Sequence, residues 1–291
     1  MKGRAVKRLL PIFVTILAAT TLALSLTACT EGEEQTSESE RQTQRILTVA
    51  VPDSLNGTGL IGYLAPFFQQ DTDIFVNAMY LGDEQAITAA ATGEIAALIA
   101  NDPAAEEAFI ADGYGTDRFE FAYNDFILVG PANDPANARN SANVAEAMIQ
   151  VLRSGSTFLS RADNSGSYQR ELQQWALTGT NPDASSNYVA LESGIDTALV
   201  MAGEQHAYVF TDKASYFTTR DGHDLEVLAN TGTDLRNVYS IILVSNTTGV
   251  NADEIDTARE FFDWLQSDRA AELIASFGVE DHGEPLYFVD P

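Results

Sequence analysis

The chain has 291 residues, 45% hydrophobic and 20% charged, with a formal net charge of −26. That apolar content suffices for one large core or two medium ones, so a two-lobed body is expected, while so large a surplus of acids disfavours nucleic acid and anionic lipid as partners. A single cysteine excludes a disulfide framework, so packing has to hold the fold.

In chain order, Lys2, Arg4, Lys7 and Arg8 make a basic start, "LLPIFVTILAATTLALSL" an apolar run, and "LTAC" a small-residue close at Cys29. Residues 1–28 therefore read as a secretory leader rather than a spanning helix. The close resembles a bacterial lipobox, which implies cleavage before Cys29 and lipidation of its thiol; an ordinary signal with an incidental cysteine is the alternative. Without the leader, 12 basic residues face 42 acidic ones, a formal charge of −30, and Lys213 is the only lysine. Residues 29–45, with "TEGEEQTSESERQTQR", have no apolar period and read as a disordered tether holding a globular body near a membrane.

After the tether, "ILTVAVP" predicts a strand, "DSLNGTG" a loop, and "LIGYLAPFFQQ" a helix with Leu60, Leu64, Phe67 and Phe68 at helical spacing. Strand "IFVNAMYLG", helix "DEQAITAAATGE" and strand "IAALIAND" follow, then a helix opened by Pro103, where proline fits. A long strand, "FEFAYNDFILVGPAND", ends this alternation of β and α, the pattern of a mostly parallel sheet covered by helices. The second block predicts helix "SANVAEAMIQVLRSG", strand "STFLSR", helices "SYQRELQQWALTG" and "SGIDTALVMAGEQ", and strand "AYVFTD". Strand "NVYSIILVSN" and a helical run broken near Ser267 complete the chain. The long strands around Phe126 and Ile242 read as crossings between two α/β lobes, 46–131 plus 238–291 and 132–237, with a ligand cleft between them.

Two segments share one design, "VPDSLNGTGLIGYL" and "FLSRADNSGSYQREL": strand, small polar loop, helix. Ser54 and Thr58 stand near Gly59 in the first, and Ser165 and Ser167 flank Gly166 in the second. Helix N-termini present free N–H groups and a positive dipole end to an anion, and Arg161 adds a planar fork for oxyanion geometry. Plain capping by the hydroxyls, and pairing of Arg161 with Asp163, is the bland alternative. His206, His223 and His282 are scattered, so neither a metal site nor a catalytic triad is expected, and Trp175 and Trp264 sit on apolar helix faces as core residues. Tyr123 and Tyr208, near strand ends, read as packing residues.

The chain as a whole resembles the tungstate-binding receptors of prokaryotic ABC importers, which have a two-lobed type II periplasmic-binding-protein fold. "FLSRADNSGSYQRELQQW" is similar to that family's F-V-S-R-G-D-x-S-G-T-H-x-x-E-x-x-x-W, and "AYNDFILVGP" to its Y-N-D-F-x-x-V-G-P. "YVFTDKASY" and "FGVEDHGEPLYF" are similar to its Y-x-L-T-D-R-x-T-Y and its closing F-G-x-x-x-x-G-E-x-L-F. The resemblance implies a lipid-anchored, extracytoplasmic, monomeric receptor that binds tungstate or molybdate, needs no cofactor, and delivers its anion to a permease and an ATPase. Carried over by position, it implies ligand contacts from Ser54, Thr58, Gly59, Arg161, Ser165, Gly166, Ser167 and Thr211.

The departures are equally specific. "VPDS" replaces a T-T-T-S motif and introduces Asp53; Asn101 replaces a histidine, and Lys213 an arginine. A carboxylate about 4 Å from a second unit negative charge costs roughly 4 kcal/mol at an effective dielectric near 20. Either Asp53 turns away to cap the helix, or it accepts a proton-bearing ligand such as monohydrogen phosphate, or it pairs with the ammonium of a zwitterion. A sensor that hands its closed form to a signalling partner is a further alternative. A secreted serine hydrolase is the distant third class, lacking a G-x-S-x-G elbow, an H-E-x-x-H motif and a P-loop.

Overall fold

A computed structural model describes residues 44–245 and 249–290 of the chain. The leader over 1–28, Cys29 and the tether up to residue 43 lie outside the described residues. Strand β1 (Arg45–Pro52) takes in the last residue assigned to the tether: Arg45 is in register with Ile74, and its guanidinium pairs with Glu260.

The remaining strands are β2 (Ile74–Leu81), β3 (Ala97–Ala100), β4 (Gly115–Pro131), β5 (Phe158–Ser160), β6 (Tyr188–Ala190), β7 (Tyr208–Asp212), β8 (Leu225–Ala229) and β9 (Arg236–Val244). They run in the order β2-β1-β3-β9-β4-β7-β5-β6, with β8 also on β4. The outer pairs β1–β2, β1–β3, β5–β6 and β5–β7 are parallel, while the pairs β4–β7, β4–β8, β4–β9 and β3–β9 are antiparallel. The reason is β4, which changes partners midway. It pairs with β9 from Gly115 to Asp125, then with β7 from Phe126 to Val129.

The cores follow that switch. Phe121 and Ala122 of β4 belong to a cluster with Leu47, Phe68, Tyr239 and Phe261. Phe126 and Leu128 instead join Phe158, Trp175 and Tyr208, and Ile127 and Val129 face Leu199 and Tyr216 on the other side of the sheet. One strand thus serves two lobes, alternating its side chains between the faces of the second.

Helices α1 (Asp53–Thr58), α2 (Leu60–Thr72), α3 (Asp83–Ala91) and α4 (Pro103–Ala111) belong to the first half of the chain. Buried Leu60, Ile61, Leu64 and Phe68 line one face of α2, and α4 starts where Asp102 accepts from Ala104 N at 3.1 Å, ahead of Pro103. Next come α5 (Val144–Ser154), α6 (Gly166–Thr178), α7 (Ile195–Gln205) and α8 (Lys213–Thr219), and then α9 (Ala252–Leu265), α10 (Asp268–Ser276) and α11 (Val279–His282). The break expected near Ser267 is a cap, since its hydroxyl accepts from Ala270 N at 3.2 Å. Trp175 and Trp264 are buried as expected, and each donates its indole N–H to a carboxylate, Glu171 and Asp71 respectively.

The expected "DSLNGTG" loop is instead a helical turn, α1, ended by Gly59 at φ 78°, a left-handed conformation that glycine adopts without penalty. On β4, Gly130 has a different purpose. A Cβ there would lie 2.5 Å from the Tyr208 ring and 2.8 Å from Leu228. Tyr208 cannot step aside, because its hydroxyl donates to Asp134 at 2.8 Å and accepts from Ala136 N at 2.9 Å. Gly130→Ala should therefore overpack the second lobe and lower stability by about 1–3 kcal/mol, read as a lower urea midpoint with an unchanged slope; an unchanged midpoint would contradict this packing.

Candidate functional site

Strand β5 delivers its last residues into a short loop, Arg161 to Ser165, before α6. Arg161 is only 3% exposed. Its Nε and Nη2 both donate to Asp163 Oδ2, at 3.0 and 2.6 Å. The other carboxylate oxygen accepts from Ser165 N at 3.2 Å and from Ser165 Oγ at 2.7 Å, while Ser165 Oγ accepts from Tyr168 N at 3.3 Å and so caps α6. This clamp holds an unfavourable backbone: Ala162 and Asn164, on either side of Asp163, have φ of 49° and 60°. Asparagine tolerates that region, but alanine there costs about 1–2 kcal/mol.

The pairing with Asp163 does not exhaust the arginine. Among the described residues, Arg161 Nη1 is buried with no hydrogen-bond partner, and so is the hydroxyl of Ser193. Both line one cavity of about 230 Å³. Pro52, Asp53, Ser54, Gly82 and Asn101 form its wall on the side of β1 and β3. Asp163, Ser165, Ser167, Glu192 and Gly194 join Arg161 and Ser193 opposite them. Gly194 caps α7, and Ser193 N donates to Arg161 O at 3.1 Å, so the α7 start is tied to the arginine loop. Two helices of 13 and 11 residues, α6 and α7, thus begin at this wall. Unused buried donors beside two positive dipole ends suit an anionic oxygen.

Of the residues singled out from the sequence, Asp53, Ser54, Asn101, Arg161, Ser165 and Ser167 meet on this cavity. Gly166 stands just behind it: a Cβ there would lie 2.7 Å from Asn101 Oδ1 and 3.0 Å from Asn101 O, so only glycine lets the α6 start approach β3 this closely. Thr58 and Gly59 do not join the cavity wall. Six residues of α1 carry them away from the end of β1, and the Thr58 hydroxyl lies 2.8 Å from that of Tyr287. Thr211 is also off the wall, fully buried on β7 with its hydroxyl donating to Asp212 O at 3.2 Å. Asp53 does not cap a helix: the cap position of α1 is Pro52, with no side-chain cap bond, and Asp53 is exposed and lines the cavity. Ser193 and Glu192 were not singled out, although "LESGIDTAL" has the same small-polar, glycine, helix order as the other two segments.

Beneath the wall runs a buried polar chain at the level where β4 changes partners. Asn101 Nδ2 donates to Asn237 Oδ1 at 3.0 Å, and Asn237 Nδ2 donates to Asn124 Oδ1 and to the Tyr239 hydroxyl at 3.0 and 2.9 Å. Asn124 Nδ2 donates to Asp212 Oδ1 at 2.8 Å, and the Ser54 and Tyr239 hydroxyls are 3.3 Å apart. Burial pushes the Tyr239 hydroxyl pKa up, so it stays protonated. The chain satisfies groups from both lobes and orients Asn101 and Ser54. Near the cavity, burial and the charge of Asp212 push the Asp196 carboxyl up, and Arg161 pulls it down. None of His206, His223 and His282 lines the cavity, and among the described residues no group of three or more His, Cys, Asp or Glu side chains is placed to hold a metal ion.

A family model described as the PBP superfamily domain matches residues 35–269. The chain is 34% identical to the tungstate-binding protein TupA of Peptoclostridium acidaminophilum, over 97% of this chain and 98% of that one. It is 30% identical to the crystal structure of the tungstate ABC transporter from Geobacter sulfurreducens, with a TM-score of 0.74 over 80% of this chain and 98% of the other. Against the tungstate-binding protein TupA from Desulfovibrio alaskensis G20 the identity is 31% and the TM-score 0.73, over 84% and 99% of the two chains.

The arginine loop rests on Glu171, which is 2% exposed. Its carboxylate accepts from Ser160 Oγ at 2.9 Å, Trp175 Nε1 at 3.0 Å and the Tyr188 hydroxyl at 2.9 Å. Burial outweighs these donors and raises its pKa to about 7. A carboxyl whose folded value is raised stabilises fully below its unfolded value, and that contribution fades as pH rises through the folded one. Wild-type stability relative to Glu171→Gln, which keeps the shape, should therefore fall by on the order of 3 kcal/mol between pH 4.5 and pH 7 and level off above. Urea titrations of both chains across that range check it; parallel profiles would contradict it.

Proposed function

The chain belongs to the PBP superfamily and, within it, to the family of the tungstate-binding protein TupA, and from that premise we propose that it is the extracytoplasmic solute receptor of an ABC importer, binding tungstate or molybdate. It is a binding protein, not an enzyme. The observation that carries the reading is Arg161 Nη1, a buried, permanently charged donor with no protein partner among the described residues, on a side chain that lines a cavity shared by both lobes. Burying such a group without a partner costs about 1–3 kcal/mol or more, and an oxyanion removes that cost. Ser193 Oγ and the first turns of α6 and α7 supply neutral donors around the same point, which favours charge spread over several oxygens.

In this reading Arg161, Ser165, Ser167 and Ser193 hold the anion from the lobe that β4 enters at Phe126, and Ser54 and Asn101 close on it from the lobe that contains β1, β3 and β9. The crossing points at Asp125–Phe126 and at Leu235, whose carbonyl accepts from Phe126 N at 2.6 Å, act as the hinge. The closed form is what a permease and its ATPase would recognise, the receptor working as a monomer. A lipid at Cys29 and the acidic tether keep it at the membrane surface, with no helix among the described residues long and apolar enough to cross.

Two measurements test this. Tungstate at a hundred times its dissociation constant should stabilise the fold by about 2.7 kcal/mol and raise the melting temperature, and Arg161→Ala should lose that rise; no shift with tungstate, molybdate, sulfate or phosphate would refute the receptor. Cys29→Ser should move the protein from the membrane fraction to the soluble one, and an unchanged distribution would refute the anchor.

A further inference from the structure

The cavity wall carries more negative than positive charge. Arg161 gives two nitrogens to Asp163, so that pair is neutral. What remains on the wall is Asp53 and Glu192, both exposed. Asp53 is the first residue of α1, takes no part in capping it, and has no hydrogen-bond partner among the described residues. The groups around it do little to offset its charge. Asp196, on α7, has both carboxylate oxygens 2.8 Å from where a Cβ on Gly57 of α1 would lie. On α8, Lys213 is engaged by Glu284 at 2.6 Å, and on β2, burial raises the pKa of Tyr80 and keeps it neutral. Among the described residues, Arg161 is the only cation lining this cavity.

A fully deprotonated dianion held in this cavity would share it with these carboxylates. One uncompensated unit repulsion at hydrogen-bonding distances removes about a thousandfold in affinity. A single proton placed between Asp53 and the anion turns that repulsion into a hydrogen bond.

We propose that Asp53 couples ligand binding to protonation: an oxyanion is captured together with one proton, shared between the Asp53 carboxylate and an anion oxygen. The inference rests on the reading of the cavity as an oxyanion site. An anion such as monohydrogen phosphate brings the proton itself and keeps it. Tungstate has none near neutral pH, so its capture takes a proton from solvent onto Asp53, and its affinity then falls as pH rises.

Calorimetric titration with tungstate and with inorganic phosphate at pH 6, 7 and 8 tests this, on the wild-type receptor and on Asp53→Asn. Asp53→Thr serves as a second variant, and the ligand-free melting temperatures check that each is folded. The expected result is a loss of tungstate affinity of about tenfold per pH unit in the wild type, with a smaller change for phosphate. Both variants should lose the tungstate slope and bind tungstate at least tenfold more tightly than the wild type at pH 8. Tungstate binding with the same pH profile in wild type and variants overturns the role of Asp53 and leaves the receptor intact. Absence of binding by either anion in all three proteins overturns the receptor reading as well.

Discussion

Arg161 is held at two of its three nitrogens by a carboxylate two residues away, and the third nitrogen is left buried without a partner among the described residues. Much of the surrounding architecture serves that placement. The Asp163 clamp keeps Ala162 and Asn164 in the left-handed region, Ser165 joins the clamp to the first turn of α6, and Ser193 ties the start of α7 to the arginine backbone. A guanidinium fixed this firmly loses little further freedom when a ligand arrives, which is the advantage of preorganisation. The same clamp also neutralises most of its charge, so the cavity offers directed donors more than net positive potential.

The cavity lies where the two lobes meet, and the contacts there are close and polar. Gly166 packs onto Asn101, which bonds to Asn237, which in turn reaches Asn124 on the strand common to both lobes. Amide side chains donate and accept at once, so such a chain stays satisfied without ionised groups at most of its links. It fixes the wall residues of one lobe relative to the crossing strand, and a closing motion about that strand would carry Ser54 and Asn101 as a unit. The acidic surface outside the cavity makes an anion approach against the mean field, and the buried donors have to overcome that locally.

Much of this was legible in the sequence, and the parts that were not have physical reasons. Long apolar runs such as those of β1, β4 and β9, and amphipathic helices such as α2, α5 and α9, announce themselves by period. "DSLNGT" has neither period, so a six-residue helix could not be told from a loop, and that one turn carries Thr58 and Gly59 off the cavity wall. Strand β6 is largely exposed at the edge of the sheet and β8 mixes buried with exposed positions among polar turns, so neither shows the apolar run that marks β5 and β7. The arginine loop was legible because a lone cation in an acidic chain precedes a run of small polar residues. The two-residue spacing of Arg161 and Asp163 reveals a pairing and not which nitrogen it leaves over. Ser193 and Glu192 lie in a segment of the same design whose only sign in the sequence is an ordinary helix start.

The most direct measurement of the central claim is a crystal structure of the receptor grown with tungstate. The account predicts one anion in the cavity between the lobes, with oxygens about 2.7–3.2 Å from Arg161 Nη1 and Ser193 Oγ and the Arg161–Asp163 pair intact. An anion bound elsewhere on the molecule, or Arg161 turned out of the cavity with the site unfilled, would contradict it.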